Sequence, residues 1–298
     1  MRVPNTKIAR QRFISAQPEG IADFFKSYFR IPPRRHWGRK YREDEWLHLP
    51  YWRILPTAMG TRFRFGTRRR SIPSEFLHDV QWGQYCLFLF IRFQDDVFDG
   101  QAQNRVAIYA SDQCLFEADR IFAKYFSPQS WFWKEFRESL RLTIQSIVEV
   151  DALQRKSTSR PDEILDGYAR ICSILKVGSA AVCAMHNQKK AYEQVSLFCD
   201  EMAMAGQIMD DIYDLEEDSG RKRLNYAANV LRRSAKKMPK RVRSNELLRR
   251  LRILATMERI YGEVHTHVSS ASNVIAPLAI PGMKKYLAHY SHSVSSPH

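Results

Sequence analysis

Two stretches of the chain put like charge where a helix should end. FQDDVFDG, residues 93–100, and GQIMDDIYDLEED, residues 206–218, each carry Asp-Asp-x-x-Asp behind a glutamine, 115 positions apart. On a helix, residues four apart share a face, so Asp95 stacks with Asp99, and Asp210 with Asp214 and Asp218. Such carboxylate stripes repel and raise one another's pKa unless something positive sits beside them. No Lys or Arg lies four residues beyond Asp95 or Asp210. The expected partner is therefore a hard divalent cation, and Mg²⁺ fits best, because a few carboxylates, water and phosphate oxygens hold it. Two exposed acidic helix ends are the plain alternative. An EF-hand is excluded by the positions of glycine and the closing glutamate.

The flanking residues narrow the ligand. After the second stripe come Ser219, Gly220, Arg221, Lys222 and Arg223, and then Tyr226, a basic segment placed to fold over metal-bound anions such as a diphosphate. Behind the first stripe, the apolar run containing Tyr85 and Phe88, with Ile91 and Arg92, extends down the same helix. These residues would line an apolar shaft below a charged mouth, with Phe88 as its floor and Gln84 on its wall. A long hydrocarbon with a diphosphate head suits both halves.

The elements that must position these stripes read as helices. From Ser74 onward there is no Asn-Gly or Asp-Gly hairpin turn and no sustained period-two alternation. The apolar periodicity predicts helices over 74–99, 104–126, 130–155, 161–187, 189–218, 222–235, 243–267 and 271–290. Residues 1–73 contain closely spaced prolines and read as an extension of short helices and loops, with 74–298 as the main domain. Within the extension, Ile21, Phe24, Phe25, Tyr28 and Phe29 share one helical face, suited to packing on the protein or lying on a bilayer.

Charge separates the same two regions. The net charge is +15, and residues 1–70 hold 17 Lys+Arg against 5 Asp+Glu, leaving 30 against 27 for the rest. No helix-turn-helix or aromatic RNA motif accompanies the basic runs, so no specific nucleic-acid partner is expected. The five cysteines stand singly, without zinc or redox spacing, and read as buried thiols in a reducing compartment. With no apolar region after the first arginines, a cytoplasmic protein is expected. Peripheral membrane contact through the extension and a homodimer are compatible with it.

The paired motifs resemble those of the class I isoprenoid synthase superfamily, over about residues 74–230. FQDDVFDG looks like the first aspartate-rich motif and AGQIMDDIYD like the second. The segment 110–118 (ASDQCLFEA) is similar to the Ala-Gly-Asp-x-Leu-Leu helix of trans-prenyltransferases. The segment 168–178 (YARICSILKVG) resembles the one whose lysine contacts diphosphate, which puts Lys176 in that role. The resemblance implies an all-α class I terpenoid synthase bundle around a central pocket. It also implies a cluster of three Mg²⁺ ions held by Asp95, Asp96, Asp99, Asp210, Asp211 and Asp214. Of these, Asp95, Asp99, Asp210 and Asp214 would serve catalysis. The substrate would contact Lys176, Arg221, Lys222, Arg223, Tyr226, Tyr85, Phe88, Ile91, Arg92 and Gln207.

Departures from the family pattern select a branch. The Gly-Gly-Lys-x-x-Arg site for a second substrate is missing; Gly66 to Arg70 is in the wrong frame, and Asn104-Arg105 lacks the arginine pair. Asp214 to Asp218 with Gly220, Arg221 and Tyr226 also resembles squalene and phytoene synthases, which lack the paired Asp-Asp-x-x-Asp. The expected activity is that of a prenyltransferase-like terpene cyclase acting on a C15 or C20 prenyl diphosphate. A polyprenyl diphosphate synthase and a head-to-head condensing enzyme are the alternatives. His78 and His186 are candidate terminal bases, although a lone histidine on a helical face more often packs in a core.

Overall fold

A computed structural model describes residues 6–30, 49–66, 73, 75–98, 100, 104–156, 158–215, 223–237 and 246–295. The chain is all-α, with no strand among the described residues. The helices are α1 (Lys7–Ser15), α2 (Glu19–Arg30), α3 (Tyr51–Gly66), α4 (Phe76–Phe98), α5 (Val106–Ala123), α6 (Trp131–Arg155) and α7 (Pro161–Ile171). A 3₁₀ turn (Cys172–Lys176) leads into α8 (Val177–Met185), followed by α9 (Lys189–Tyr213), α10 (Tyr226–Lys236), α11 (Glu246–Ile275) and α12 (Met283–Ser295). The contacts divide these into two units. Unit 1 comprises residues 1–138, 174–193 and 278–283, and unit 2 residues 139–173, 194–277 and 284–298.

Unit 1 is built around α4. Its apolar residues surround the helix, and Val80, Cys86, Leu87, Leu89, Phe90 and Phe93 are all buried. Helices α5, α3 and α8 cover most of it, and α2 adds its aromatic residues at the Phe93 end, while Tyr85, Phe88 and Ile91 stay half-exposed. The aromatic face of α2 packs inward: Tyr28, Phe24 and Phe25 meet the Phe93 ring at 4.8, 5.2 and 5.9 Å between centroids. Phe13 of α1 closes the cluster against Phe25 and Trp82.

The prolines do not confine residues 1–73 to short helices. The 16-residue α3 runs through Pro56 and completely buries Ile54, Leu55, Ala58 and Met59. The Pro56 ring lies against the bare backbone of Gly178, where an added Cβ would approach its Cγ to 3.2 Å. Tertiary packing thus compensates for the lost helical hydrogen bond.

In unit 2, α7 lies so close to α6 that a Cβ on Gly167 would be 2.2 Å from Val150 Cγ2. Helix α10 packs on both α7 and α11. A single helix over 161–187 does not form, because the 3₁₀ turn interrupts it. The expected break near residue 270 is also absent: Val268, Ala271 and Ile275 continue the buried line of α11, and the chain turns later, around Pro277 to Gly282. The stretch Pro161–Met185 is long and apolar enough to cross a membrane by length and composition. Its most apolar window is 61% buried within the protein, as a core helix would be.

Candidate functional site

The two aspartate stripes fall in different units. In unit 1, Asp95 and Asp96 occupy the last turn of α4, both partly exposed. This end of α4 is anchored on α5: Gln94 Nε2 donates to Ser111 Oγ at 3.0 Å, and Ser111 Oγ donates to the Phe90 carbonyl at 3.0 Å. The carboxylates have a cation beside them, one turn earlier rather than one turn later. Arg92 Nη2 is 2.8 Å from Asp96 Oδ1, and Arg92 Nη1 is 3.9 Å from Asp95 Oδ2. The expectation of a divalent cation as the partner left out the upstream arginine, which meets Asp96 at i,i+4 spacing, although a pair with the basic residue first is weaker than the reverse order. Asp99 lies outside the described residues.

Below the carboxylates, α4 presents a half-exposed aromatic face. Phe88 stacks on Trp52 of α3 at 5.1 Å and on Tyr85 at 6.1 Å, and the Arg53 guanidinium sits 5.8 Å from the Tyr85 ring centre. Ile91 is half-buried beside them. Gln84 is not on this face. It is 1% exposed, donating through Nε2 to the Ile174 carbonyl at 3.2 Å and accepting from the Gly178 amide at 2.6 Å. The glutamine thereby ties α4 to the turn that leads into α8. Lys176 ends that turn and is 8% exposed.

In unit 2, the second stripe occupies the end of α9. Gln207 and Asp210 are half-buried, Asp214 is exposed just past the helix, and Asp211 is 8% exposed. Asp211 Oδ2 accepts from the Tyr168 hydroxyl at 2.7 Å and from the Ala227 amide at 3.4 Å, while its carbonyl accepts from Asn225 Nδ2 at 3.1 Å. Tyr168 is 1% exposed, and its hydroxyl also accepts from Gln154 Nε2 at 3.3 Å and the Tyr226 amide at 3.4 Å. Burial, and then the Asp211 charge, hold the Tyr168 phenol well above its ordinary pKa.

This hub organises the chain that follows the stripe. Asn225 caps α10, accepting from the Ala228 amide at 2.8 Å. Leu224 donates its amide to the Gln154 carbonyl at 2.9 Å, and Arg223 Nη2 is 3.1 Å from Asp151 Oδ1, with both side chains largely buried. Tyr226 is buried, its pKa pushed up to about 12 chiefly by burial and then by the Glu263 charge. Arg221, Lys222 and Asp218 lie outside the described residues. His78 is exposed, and the His186 ring lies 5.3 Å from that of Phe63.

Sequence reasoning passed over Tyr168, Gln154, Asp151 and Asn225 as site residues. Only Asn225 carried a local signal, an asparagine immediately before a helical run. The others are recognisable only once α6, α7 and α9 are placed side by side. Four of the five cysteines are buried, none is in a disulfide, and burial raises the Cys86 and Cys114 thiols well above their ordinary range. Among the described residues no group of three or more His, Cys, Asp or Glu is arranged to hold a metal ion. No protein-family model matches the chain, and neither does any curated protein.

Proposed function

We propose that the protein is a class I terpene synthase: it ionises a prenyl diphosphate, C15 or C20 by preference, and cyclises the resulting allylic cation. The observation that carries this reading is the repetition of Asp-Asp-x-x-Asp at the ends of two long helices, with Asp95, Asp210 and Asp214 partly or fully exposed rather than packed in the core. The all-α architecture supports it. So does the half-exposed aromatic face beneath the first stripe.

The carboxylate oxygens of Asp95, Asp96, Asp210 and Asp214 are the hard donors that Mg²⁺ prefers, and with Asp99 and Asp211 they would hold it. Bound Mg²⁺ supplies positive charge at a departing diphosphate. Lys176, Arg221, Lys222 and Arg223 would add fixed positive charge for the same group, Arg223 after exchanging its bond to Asp151. Arg92 would move between the carboxylates and the anion. Tyr85 and Phe88 would keep water from the cation and stabilise it through their ring faces, worth up to about 2 kcal/mol when desolvated. Tyr168 acts through Asp211, holding that carboxylate in one orientation and the segment 223–227 against it.

Incubation of the full chain with C10, C15, C20 or C25 diphosphate and Mg²⁺ tests the proposal. A single diphosphate should yield a hydrocarbon or alcohol extractable into organic solvent. Asp95→Ala and Asp210→Ala should each lose about a hundredfold or more in turnover at unchanged helical content. Longer diphosphates formed only with added isopentenyl diphosphate would make it an elongating enzyme. A linear product from two allylic diphosphates would make it a head-to-head condensing enzyme, and no consumption of any of them would dismiss the proposal.

A further inference from the structure

Arg223 does not wait for an anion in open solvent. Its side chain is 14% exposed, with Nη2 3.1 Å from Oδ1 of Asp151 on α6, a carboxylate that is itself 16% exposed. Asp151 is shared. Arg155, one turn further along α6, brings Nε to 2.8 Å from the other oxygen, Oδ2, and its side chain is 61% exposed. One carboxylate thus stands between two guanidiniums, one largely buried and one facing water.

The backbone beside Arg223 is fixed. Leu224 donates its amide to the Gln154 carbonyl of α6 at 2.9 Å, and Asn225 Nδ2 donates to the Asp211 carbonyl of α9 at 3.1 Å. Arg223 is therefore held between α6 and the stripe end of α9, and a change of partner requires only its side chain to move. The cost of that change depends on what is left behind. A largely buried carboxylate stripped of its cation is strongly destabilising. Asp151 keeps Arg155 when Arg223 departs, so neither charge is stranded once the guanidinium meets an anion that accepts two of its N–H groups.

We propose that Asp151 is a positioning residue that holds Arg223 in reserve and yields it to a diphosphate, with Arg155 remaining on the carboxylate. The inference rests on the prenyl diphosphate reading for the identity of the anion. It makes Asp151 a competitor of the ligand: only the fraction of molecules in which Arg223 has left Asp151 binds at full strength, and the apparent affinity falls by that fraction. A carboxylate that merely braced the fold would have the opposite effect, because its loss would misplace Arg223 and weaken binding.

Calorimetric titration of the full chain with inorganic pyrophosphate and Mg²⁺ tests it. Asp151→Asn keeps an oxygen for hydrogen bonding but removes the charge, and should tighten pyrophosphate roughly tenfold, the scale of a charged hydrogen bond. In an Arg223→Gln background it should bring no gain. Arg155→Gln leaves Asp151 to hold Arg223 more firmly, and should weaken binding about threefold more than Lys156→Gln, an equal loss of charge at the exposed neighbour. Adding Asp151→Asn should abolish that difference. Unchanged or weaker binding by a stably folded Asp151→Asn overturns the proposal, as does an Arg155→Gln effect no larger than that of Lys156→Gln. If Asp151→Asn is destabilised, the Arg155 and Lys156 comparison decides. The expected pattern without consumption of any prenyl diphosphate would dismiss the terpene synthase reading and leave the exchange standing. Terpene formation with no gain for Asp151→Asn would do the reverse, and no pyrophosphate binding by any variant overturns the exchange whatever the turnover.

Discussion

At the scale of single residues, the second aspartate stripe divides its labour. Asp210 and Asp214 face solvent to differing degrees, whereas Asp211 is held by a phenol and a backbone amide. A buried carboxylate costs stability unless it is hydrogen-bonded, and removing its best donor leaves that cost uncompensated. Tyr168→Phe is therefore expected to lower stability by about 2–3 kcal/mol, measured as a shifted urea midpoint at unchanged slope. A smaller loss would mean that another donor replaces the hydroxyl. The neighbouring phenols also set an alkaline limit. Below about pH 10 Tyr226 is protonated whether the chain is folded or not. Above it the unfolded chain releases the proton while the folded chain keeps it up to about pH 12, so stability falls across that window. Tyr226→Phe should flatten this decline. Urea midpoints measured from about pH 9 to about pH 11.5 check it, and a slope identical to wild type would show that Tyr226 does not contribute.

At the scale of elements, most helices sit within a few residues of where periodicity puts them, because each buries one continuous apolar line. The exceptions have local causes that periodicity does not register. Residues 161–187 keep their apolar character across the 3₁₀ turn, but Gln84 satisfies the Ile174 carbonyl within the turn and the Gly178 amide just after it. Close approach by small residues is the other hidden determinant. Gly167 lets α7 reach Val150 of α6, and a β-branched valine has little rotamer freedom to retreat. Gly167→Ala should cost about 1–3 kcal/mol although alanine is the better helix former. Thermal unfolding of this variant decides which effect prevails, and a raised Tm would show that the helices separate at no cost.

At the scale of the whole molecule, the charge is uneven and the core is not confined to the less charged part. Residues 1–70 hold +12 of the +15, yet the same region supplies α3, with four completely buried apolar side chains, and α2, which covers Phe93. Burial of Ile54, Leu55 and Met59 contributes about 1.5–3 kcal/mol each, and of the Ala58 methyl less. A chain shortened to begin at Ser71 is therefore expected to lose its fold along with its charge. Lost helical content with dye-binding apolar surface would bear this out, and a soluble shortened protein with native circular dichroism would refute it.

The sequence by itself determined the all-α class, the places of most of the helices and the two carboxylate stripes. These depend on periodicities of three to four residues and on side-chain chemistry, both written locally in the chain. What surrounds each stripe was decided by tertiary structure. Periodicity could place Arg92 near Asp95 and Asp96, but not show its guanidinium closing on Asp96, nor turn Gln84 away from the aromatic face. It could not bring Tyr168, 43 positions away, onto Asp211, or Asp151 onto Arg223. Those contacts join residues on different elements, and helical phase fixes the direction of a side chain without fixing what stands opposite it.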